Sequence, residues 1–334
     1  MTLVKRLVNI LVIMFGVSII IFGLTRVLPG DPIAAAMGDM PSDAHIERMR
    51  SEMGLDKPIV LQYVDFVVGL SKGRMGLSIT ERRDVAEIVV QRLPATIELV
   101  TAAILLSLVI GVPLGVISAK YKGRPGDHIS RTIALFGSSI PNFWIAIMIQ
   151  MIFGLFFALL PITGRITGPP PDAITGLYVV DSILTLNATA LRDSIRHLAA
   201  PAFVLASGPI ASIALMLRAK MIDESAKPYS ELAAALGMHP LIISYKYLLR
   251  NSFSATLTLI GFLFPILIGA NFIVEKVFAW PGIARYGADA IIANDFNGVV
   301  GVTMVVCFFV VVINQLVNLA YPLLDPRIRL GGYK

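Results

Sequence analysis

The residues that could do chemistry by themselves are few in this sequence, and they do not form a recognisable catalytic set. The four histidines lie in separate segments, and none has a partner at metal-ligand spacing on one helix face; they are His45, His128, His197 and His239. Cys307 is the only cysteine, so neither an internal disulfide nor a cysteine-based metal site can form. The sequence also lacks G-x-x-x-x-G-K-[ST], H-E-x-x-H and G-x-S-x-G motifs. We therefore expect no catalytic, cofactor-binding or metal-ligating residue in this chain.

Composition and hydropathy indicate the environment in which the chain folds. Of its 334 residues 56% are hydrophobic and 15% are charged, and the mean hydropathy is +0.78. A soluble domain leaves too much of its surface in water to hide that much apolar area. A helix needs about 20 apolar residues to cross the ~30 Å core of a bilayer. We therefore predict an all-α polytopic membrane protein with about six transmembrane helices, at 7–25, 99–119, 133–160, 198–217, 253–274 and 299–322.

Two alternatives for the apolar stretches conflict with the sequence. The first stretch is longer than the ~7–15-residue core of a cleaved signal peptide and five more follow it, which favours a retained span. An intramembrane aspartyl protease would need paired aspartates at membrane depth, and no predicted span contains an aspartate.

The distribution of basic residues predicts the orientation in the membrane. Six spans place both termini on one side, and the short segments of that side are rich in lysine and arginine, whereas the connection 277–298 has one basic residue. The positive-inside rule therefore predicts cytoplasmic termini. We attribute the net charge of +6 to the orientation of the chain in the membrane, and not to nucleic-acid binding. The expected organisation is a first helix plus a long extracytoplasmic loop (1–95), a permease core (96–322) and a cytoplasmic tail (323–334).

The outer segments are predicted to be partly folded. Residues 41–70 have apolar side chains at helical spacing, and residues 84–92 resemble a further short helix that leads into the second span. Residues 166–180 are rich in proline and glycine, which indicates an irregular loop.

Polar residues inside the predicted spans are costly, and they are therefore informative. They either line a path for a hydrophilic solute or form hydrogen bonds between helices. The candidates for a translocation path are Asn271, Asn314, Gln315 and Asn318; Gln150 is a further isolated polar residue.

Gly111-x-x-x-Gly115 permits close helix packing. Kinks are expected at Pro113, Pro141, Pro201, Pro209 and Pro265.

One polar connection, about 218–252, contains a two-part amphipathic segment. We predict a first helix over 228–236, ended by Gly237, and a second helix that starts at Pro240. In the second helix Leu241, Tyr245, Leu248 and Leu249 form one apolar stripe. Such a segment either lies on the membrane or docks into a groove of a partner. Residues 228–239 contain no lysine or arginine, which favours docking.

The same segment resembles the E-A-A-x-x-x-G loop of ABC importer permeases. Glu231 and Ala233 are followed by Gly237 at the matching spacing, although Leu232 replaces the first alanine and Arg250-Asn251 stands where the motif has a later proline. Further stretches look like the dipeptide/oligopeptide/nickel permease family, and they follow one another along nearly the whole chain: GVSIIIFGLTRVLPGDPIAAAMG, MGLDKPIVLQY, RLPATIELV, IGVPLGVISA, SIPNFW, VEKVFAWPGIARY and LLDPRIRL. The long loop after the first span is similar to that of the "B" subunit type.

The resemblance implies a type I ABC importer permease in the inner membrane of a bacterium. Its partners would be membrane lipid, a second homologous permease, two cytoplasmic ATPases that hold ATP and magnesium, and an extracytoplasmic solute-binding protein that delivers di- or oligopeptides. The residues implied for ATPase coupling are Glu231, Ala233, Gly237, Pro240, Arg250 and Asn251. Those implied to face the binding protein are Trp280, Pro281 and Gly282.

Other functions stay open at this point. The same family includes permeases for nickel complexes and for glutathione. A self-sufficient secondary transporter would be expected to show internal repeats and charges at mid-membrane, and a membrane-anchored scaffold would not need kinked spans.

Overall fold

The computed structural model describes residues 3–27, 47, 51 and 56–324, and side chains within 8–25 and up to residue 316. In these ranges the regular structure is helical, apart from one isolated bridge between Leu77 and Asp84. The helices are α1 (Leu3–Val27), α2 (Ile59–Ser71), α3 (Val85–Lys120), α4 (Pro125–Ser139), α5 (Asn142–Ile149), α6 (Tyr178–Leu184), α7 (Ala188–Ser225), α8 (Pro228–Ala235), α9 (Pro240–Ile242), α10 (Arg250–Ala270), α11 (Phe272–Val277), α12 (Ile283–Ile292) and α13 (Phe296–Leu324). Two π-helical turns, Gln150–Phe156 and Ile243–Leu249, follow α5 and α9 directly.

Among the described residues, five helices are long and apolar enough to cross a membrane, and a bent pair makes a sixth crossing if it counts as one span. The all-α fold with about six spans is therefore confirmed. The third predicted span, 133–160, is not one straight helix, because α4 and α5 with its π-helical turn meet at 96°. The bend lies at Ile140, which is extended because a residue that precedes proline avoids the helical region. The other four span prolines lie inside helices that continue past them.

The centre of the bundle is a parallel pair of long helices, α3 and α7. In the most apolar 18-residue stretch of α7, 72% is buried, whereas the corresponding value for α1 at the periphery is 17%. Gly111 and Gly115 permit the close approach: a Cβ atom at Gly111 would lie 2.9 Å from the carbonyl oxygen of Ile210, and one at Gly115 would lie 2.9 Å from that of Ala214. The predicted close packing at this glycine pair is confirmed.

Helix α3 contains both the predicted short helix 84–92 and the second span. Asp84 caps it by accepting a hydrogen bond from the backbone N–H of Ala86 at 2.8 Å. With 36 residues the helix is about 54 Å long, so it extends well beyond a hydrocarbon core. The predicted division at residue 95 falls inside this continuous helix.

The outer segments are folded, as their patterns predict. Within 41–70, where the spacing is helical and Gly54 and Pro58 are expected stops, α2 begins directly after Pro58 and packs against α1 through the rings of Tyr63 and Phe22, whose centroids are 5.4 Å apart. Most of residues 41–55, and the tail from 325 onward, lie outside the described residues. The loop predicted at 166–180 is irregular over 166–177, but residues 178–180 already belong to α6.

Candidate functional site

The two-part segment begins and ends at the residues that its sequence indicates. Pro228 occupies the first turn of α8, and the helix ends at Leu236 and Gly237, where Gly237 has φ +73°. The N–H of Gly237 donates to the carbonyl of Ala234 at 3.0 Å. Pro240 starts the next helix, and the imidazole of His239 accepts from the N–H of Leu241 at 3.3 Å. The glycine stop and the proline restart are confirmed.

The second half of the segment is not a separate helix. From Pro240 the chain stays helical through a π-helical turn and into α10, up to Ala270. The predicted stripe is divided as a consequence: Leu241 and Tyr245 are exposed, whereas Leu248 is buried against the bundle. A π-helix closes i→i+5 hydrogen bonds and has more residues per turn than an α-helix, so side chains three residues apart, such as Tyr245 and Leu248, no longer share a face.

Helix α8 has an inner face and an outer face. Ala233 is only 6% exposed and Ser230 is also buried, because this face lies on the bundle. Leu232 is 61% and Leu236 72% exposed, and Glu231 is exposed beside them. The side chain of Ala233 thus contacts its own bundle, and its implied role in coupling to an ATPase stays a prediction.

We name the exposed apolar side chains of the segment the outer patch. Its members are Leu232, Leu236, Leu241, Ile242 and Tyr245. Gly237, Pro240, Arg250 and Asn251 are exposed as well. A concentration of large apolar side chains on a polar connection is typical of a surface that another protein covers.

The inner face is fixed by Tyr229. Its ring packs against the buried cluster formed by Val116, Leu217, Met221 and Leu248. Its hydroxyl donates to Glu224 at 2.5 Å and accepts from the amide of Asn251 at 3.1 Å. Burial, together with the neighbouring Glu224 carboxylate, raises the pKa of the Tyr229 hydroxyl.

At the opposite end of the bundle, a buried carboxylate joins three helices. Glu275 of α11 is 0% exposed. It accepts hydrogen bonds from Thr96 Oγ1 at 2.6 Å, from Asn271 Nδ2 at 3.0 Å and from the backbone N–H of Arg285 at 2.7 Å. A Cβ atom at Gly282 would overlap the carboxylate, which explains a glycine at this position.

The residues interpreted as facing a binding protein are mostly buried. Trp280 is 0% exposed and donates through Nε1 to the carbonyl of Ala95 at 2.9 Å. Gly282 is buried next to Glu275, and Pro281 alone of the three is exposed. Trp280 and Gly282 therefore serve the internal packing of this end, and a role of the three residues in facing a binding protein stays a prediction.

The four candidate path residues do not share one environment. Asn271 is fully buried and bonded to Glu275, so a solute could reach it only after neighbouring helices move. Asn314 is exposed and Gln315 is half-buried on α13. Asn318 follows on the same helix, and its side chain lies outside the described ones. A role of these residues in a path stays a prediction.

Two buried ion pairs were not predicted from the sequence. Arg165 donates to Glu98 through Nη2 at 2.6 Å and Nε at 3.0 Å, and Arg218 donates to Asp127 twice at 2.7 Å. The partners are 67 and 91 residues apart, so no local spacing reveals them. The first pair holds the 161–177 loop on α3, and the second holds the start of α4 on α7.

Within the described ranges no group of three histidine, cysteine or acidic side chains could hold a metal ion.

We predict a pH dependence of stability from Glu275. Burial raises its pKa from 4.5 to about 7, although the hydrogen-bond donors around it act in the opposite direction. The folded chain then binds more protons than the unfolded chain between these values, so the free energy of unfolding should fall as pH rises from 4.5 to 7. Thermal unfolding in detergent across this range measures the trend. Glu275→Gln should show a smaller decrease, and an equal decrease in both proteins would contradict the assignment.

The fold is that of a polytopic membrane permease. It is similar, at a TM-score of 0.51 and 18% identity, to a chain of the MetNI methionine ABC transporter solved in inward facing conformations; the match covers 73% of this chain and 95% of that chain. The chain belongs to the family of binding-protein-dependent transport system inner membrane components, which it matches over residues 111–330, and the N-terminal family of the same systems matches residues 1–100.

Curated relatives cover nearly the whole chain. It is 35% identical over 98% of its length to a probable D,D-dipeptide transport system permease protein of Escherichia coli, of which 97% is covered. It is 34% identical over 97% to a di/tripeptide transport system permease protein of Pseudomonas aeruginosa, again with 97% covered.

Proposed function

We propose that this chain forms, with a second homologous permease, the path through which an ABC importer moves di- or oligopeptides. A solute-binding protein would deliver the peptide, and two separate ATPase subunits would bind ATP and magnesium. The observation that carries the proposal is the similarity to peptide permeases over 97 to 98% of the chain. The family itself is one of inner membrane components that depend on a binding protein.

The outer patch is the surface that we assign to the ATPase. Its leucines project from a short helix whose other face is held on the bundle, so the helix can fill a groove without leaving its own support. Glu231 and Arg250 would form the polar rim of the contact, and Gly237 and Pro240 would shape the turn between its two halves. In this proposal the chain itself performs no catalysis.

The same assignment defines the orientation. The outer patch lies on the side of the bundle where α3 and α7 end, together with Lys120, Lys122 and Arg124. If an ATPase binds there, this end is cytoplasmic, which agrees with the positive-inside prediction and with cytoplasmic termini. The Glu275 end would then face the binding protein.

The peptide class is favoured over nickel complexes and glutathione because the similar curated permeases are described as dipeptide or di/tripeptide permeases. Uptake of a radiolabelled dipeptide tests this directly. Cells that express the other components of the system should import it only when this chain is present. Import without the chain, or import of nickel in place of peptide, would overturn the proposal.

Replacing Leu236 by aspartate should abolish the coupling while leaving the bundle intact. An unpaired carboxylate buried in the contact costs about 3 kcal/mol or more, which corresponds to roughly 100-fold weaker binding of the ATPase. Dipeptide uptake and co-purification of the ATPases measure the loss. Leu236→Met is the matched control, because it keeps an apolar side chain of similar volume and should behave like the wild type. Normal uptake by Leu236→Asp would show that the outer patch is not the docking surface.

A further inference from the structure

The hydroxyl of Tyr229 links three helices by hydrogen bonds, in addition to the short chain connections between them. It belongs to the first turn of α8, donates to Glu224 in the last turn of α7, and accepts from Asn251 in the first turn of α10. Its ring lies against a cluster to which α3, α7 and the π-helical turn contribute. Glu224 is largely buried, with 14% of its side chain exposed, so its bond to Tyr229 is shielded from competing water.

The remaining attachments of α8 are weak in comparison. Ser230 and Ala233 on the inner face are small and supply only short-range packing. The ion pair of Lys227 with Glu224 has a half-exposed lysine, and exposed pairs of this kind contribute little. The chain enters α8 from α7 through Ala226 and Lys227, and leaves it through the turn at Gly237.

The two helices that Tyr229 joins run through the whole bundle. Helix α7 is the most buried of the membrane-length helices, and the helical run from Pro240 to Ala270 leads to Asn271 and the Glu275 site. A displacement of α8 that is transmitted to both helices would therefore reach the opposite end.

We propose that Tyr229 is a positioning residue that locks α8 to the ends of α7 and α10, so that a movement of α8 displaces both helices together. The inference rests on the proposed function of α8 as the element that an ATPase moves. The inference also names the residue, Tyr229, that transmits the movement of α8 to the membrane-spanning helices. Leu232 and Leu236 contact the partner in this scheme, and Tyr229 passes the displacement on.

The test is Tyr229→Phe in the complete transporter, because phenylalanine keeps the ring in its cluster and removes the two hydrogen bonds. The complex should assemble and hydrolyse ATP, whereas the number of dipeptides imported per ATP hydrolysed should fall about tenfold. Hydrogen exchange of the α8 amides in the same complex should become faster. Tyr247→Phe, in the neighbouring π-helical turn, is the matched control and should change neither quantity.

A second variant addresses the partner of the hydroxyl. Asn251→Ala should also reduce the ratio, and the double variant should be no worse than Tyr229→Phe alone, because both changes remove the same link. Additive losses, or an unchanged ratio and unchanged α8 exchange in Tyr229→Phe, would overturn the inference. Failure of the wild-type complex to bind its ATPases would instead contradict the proposed function. If Tyr229→Phe does not assemble, an unchanged ratio in Asn251→Ala overturns the inference.

Discussion

Replacing Glu275 by alanine is expected to prevent the chain from reaching a stable folded state. The carboxylate accepts from Thr96, Asn271 and the backbone of Arg285, and all of these donors would be left buried without an acceptor. Each buried donor left without a partner costs about 1–3 kcal/mol, so the three together amount to a large part of the roughly 5–15 kcal/mol that stabilises a typical protein. The loss should appear as a lower unfolding temperature in detergent and as a lower yield of monodisperse protein.

Two variants sharpen the Glu275 experiment. Glu275→Gln keeps one acceptor oxygen and places an NH₂ group against the remaining donors, so its stability should fall between those of the wild type and the alanine variant. Glu231→Ala is the control, since that carboxylate is exposed and its removal should leave the unfolding temperature unchanged. A stable Glu275→Ala protein would mean that water or another group satisfies the donors.

The second large effect is expected at the central helix pair. In Gly111→Ala the new Cβ atom would lie 2.9 Å from the carbonyl oxygen of Ile210 and 3.1 Å from Cβ of Ile213. Backbone cannot yield as a flexible side chain does, so α3 and α7 must separate over part of their length. We expect a destabilisation of about 2 kcal/mol, within the range found for overpacked cores.

A neighbouring glycine provides the matched control. Gly208→Ala places its Cβ atom in open space on α7, where alanine is the better helix former, so this variant should be neutral or slightly stabilised. Adding Gly115→Ala to Gly111→Ala should cost less than the sum of the two, because one separation of the helices relieves both contacts. Equal unfolding temperatures for Gly111→Ala and Gly208→Ala would contradict the close packing.

The features predicted correctly depend on local pattern. Apolar length alone indicates the spans, and the backbone requirements of Gly237 and Pro240 mark the two halves of the two-part segment. Pro141 predicts that the helix is interrupted, but not the angle of 96° by which the chain turns there. That angle is set by the helices packed around it.

The sequence does not show the direction in which side chains face. Ala233 and Trp280 both lie in motifs that resemble contact motifs, yet both side chains are buried in their own chain. Hydropathy separates apolar from polar positions, but it does not separate an apolar side chain that meets the bundle from one that meets a partner. The hydrogen-bonded site of Glu275 is not visible in the sequence for a related reason. One of its donors is Thr96, 179 residues away, so the site exists only once the helices have packed together.

The parallel arrangement of α3 and α7 has an electrostatic consequence. Peptide dipoles of antiparallel neighbours cancel, whereas those of this pair point the same way and add, with about half a positive charge at each N-terminus and half a negative charge at each C-terminus. Asp84 and Asn187 cap the two N-termini, and Lys120 lies in the last turn of α3, whereas the last turn of α7 has no basic residue and contains Asp223 and Glu224. Lys120, one of the lysines from which the orientation is predicted, thus also offsets the negative end of α3, so its removal would weaken topology and bundle stability together.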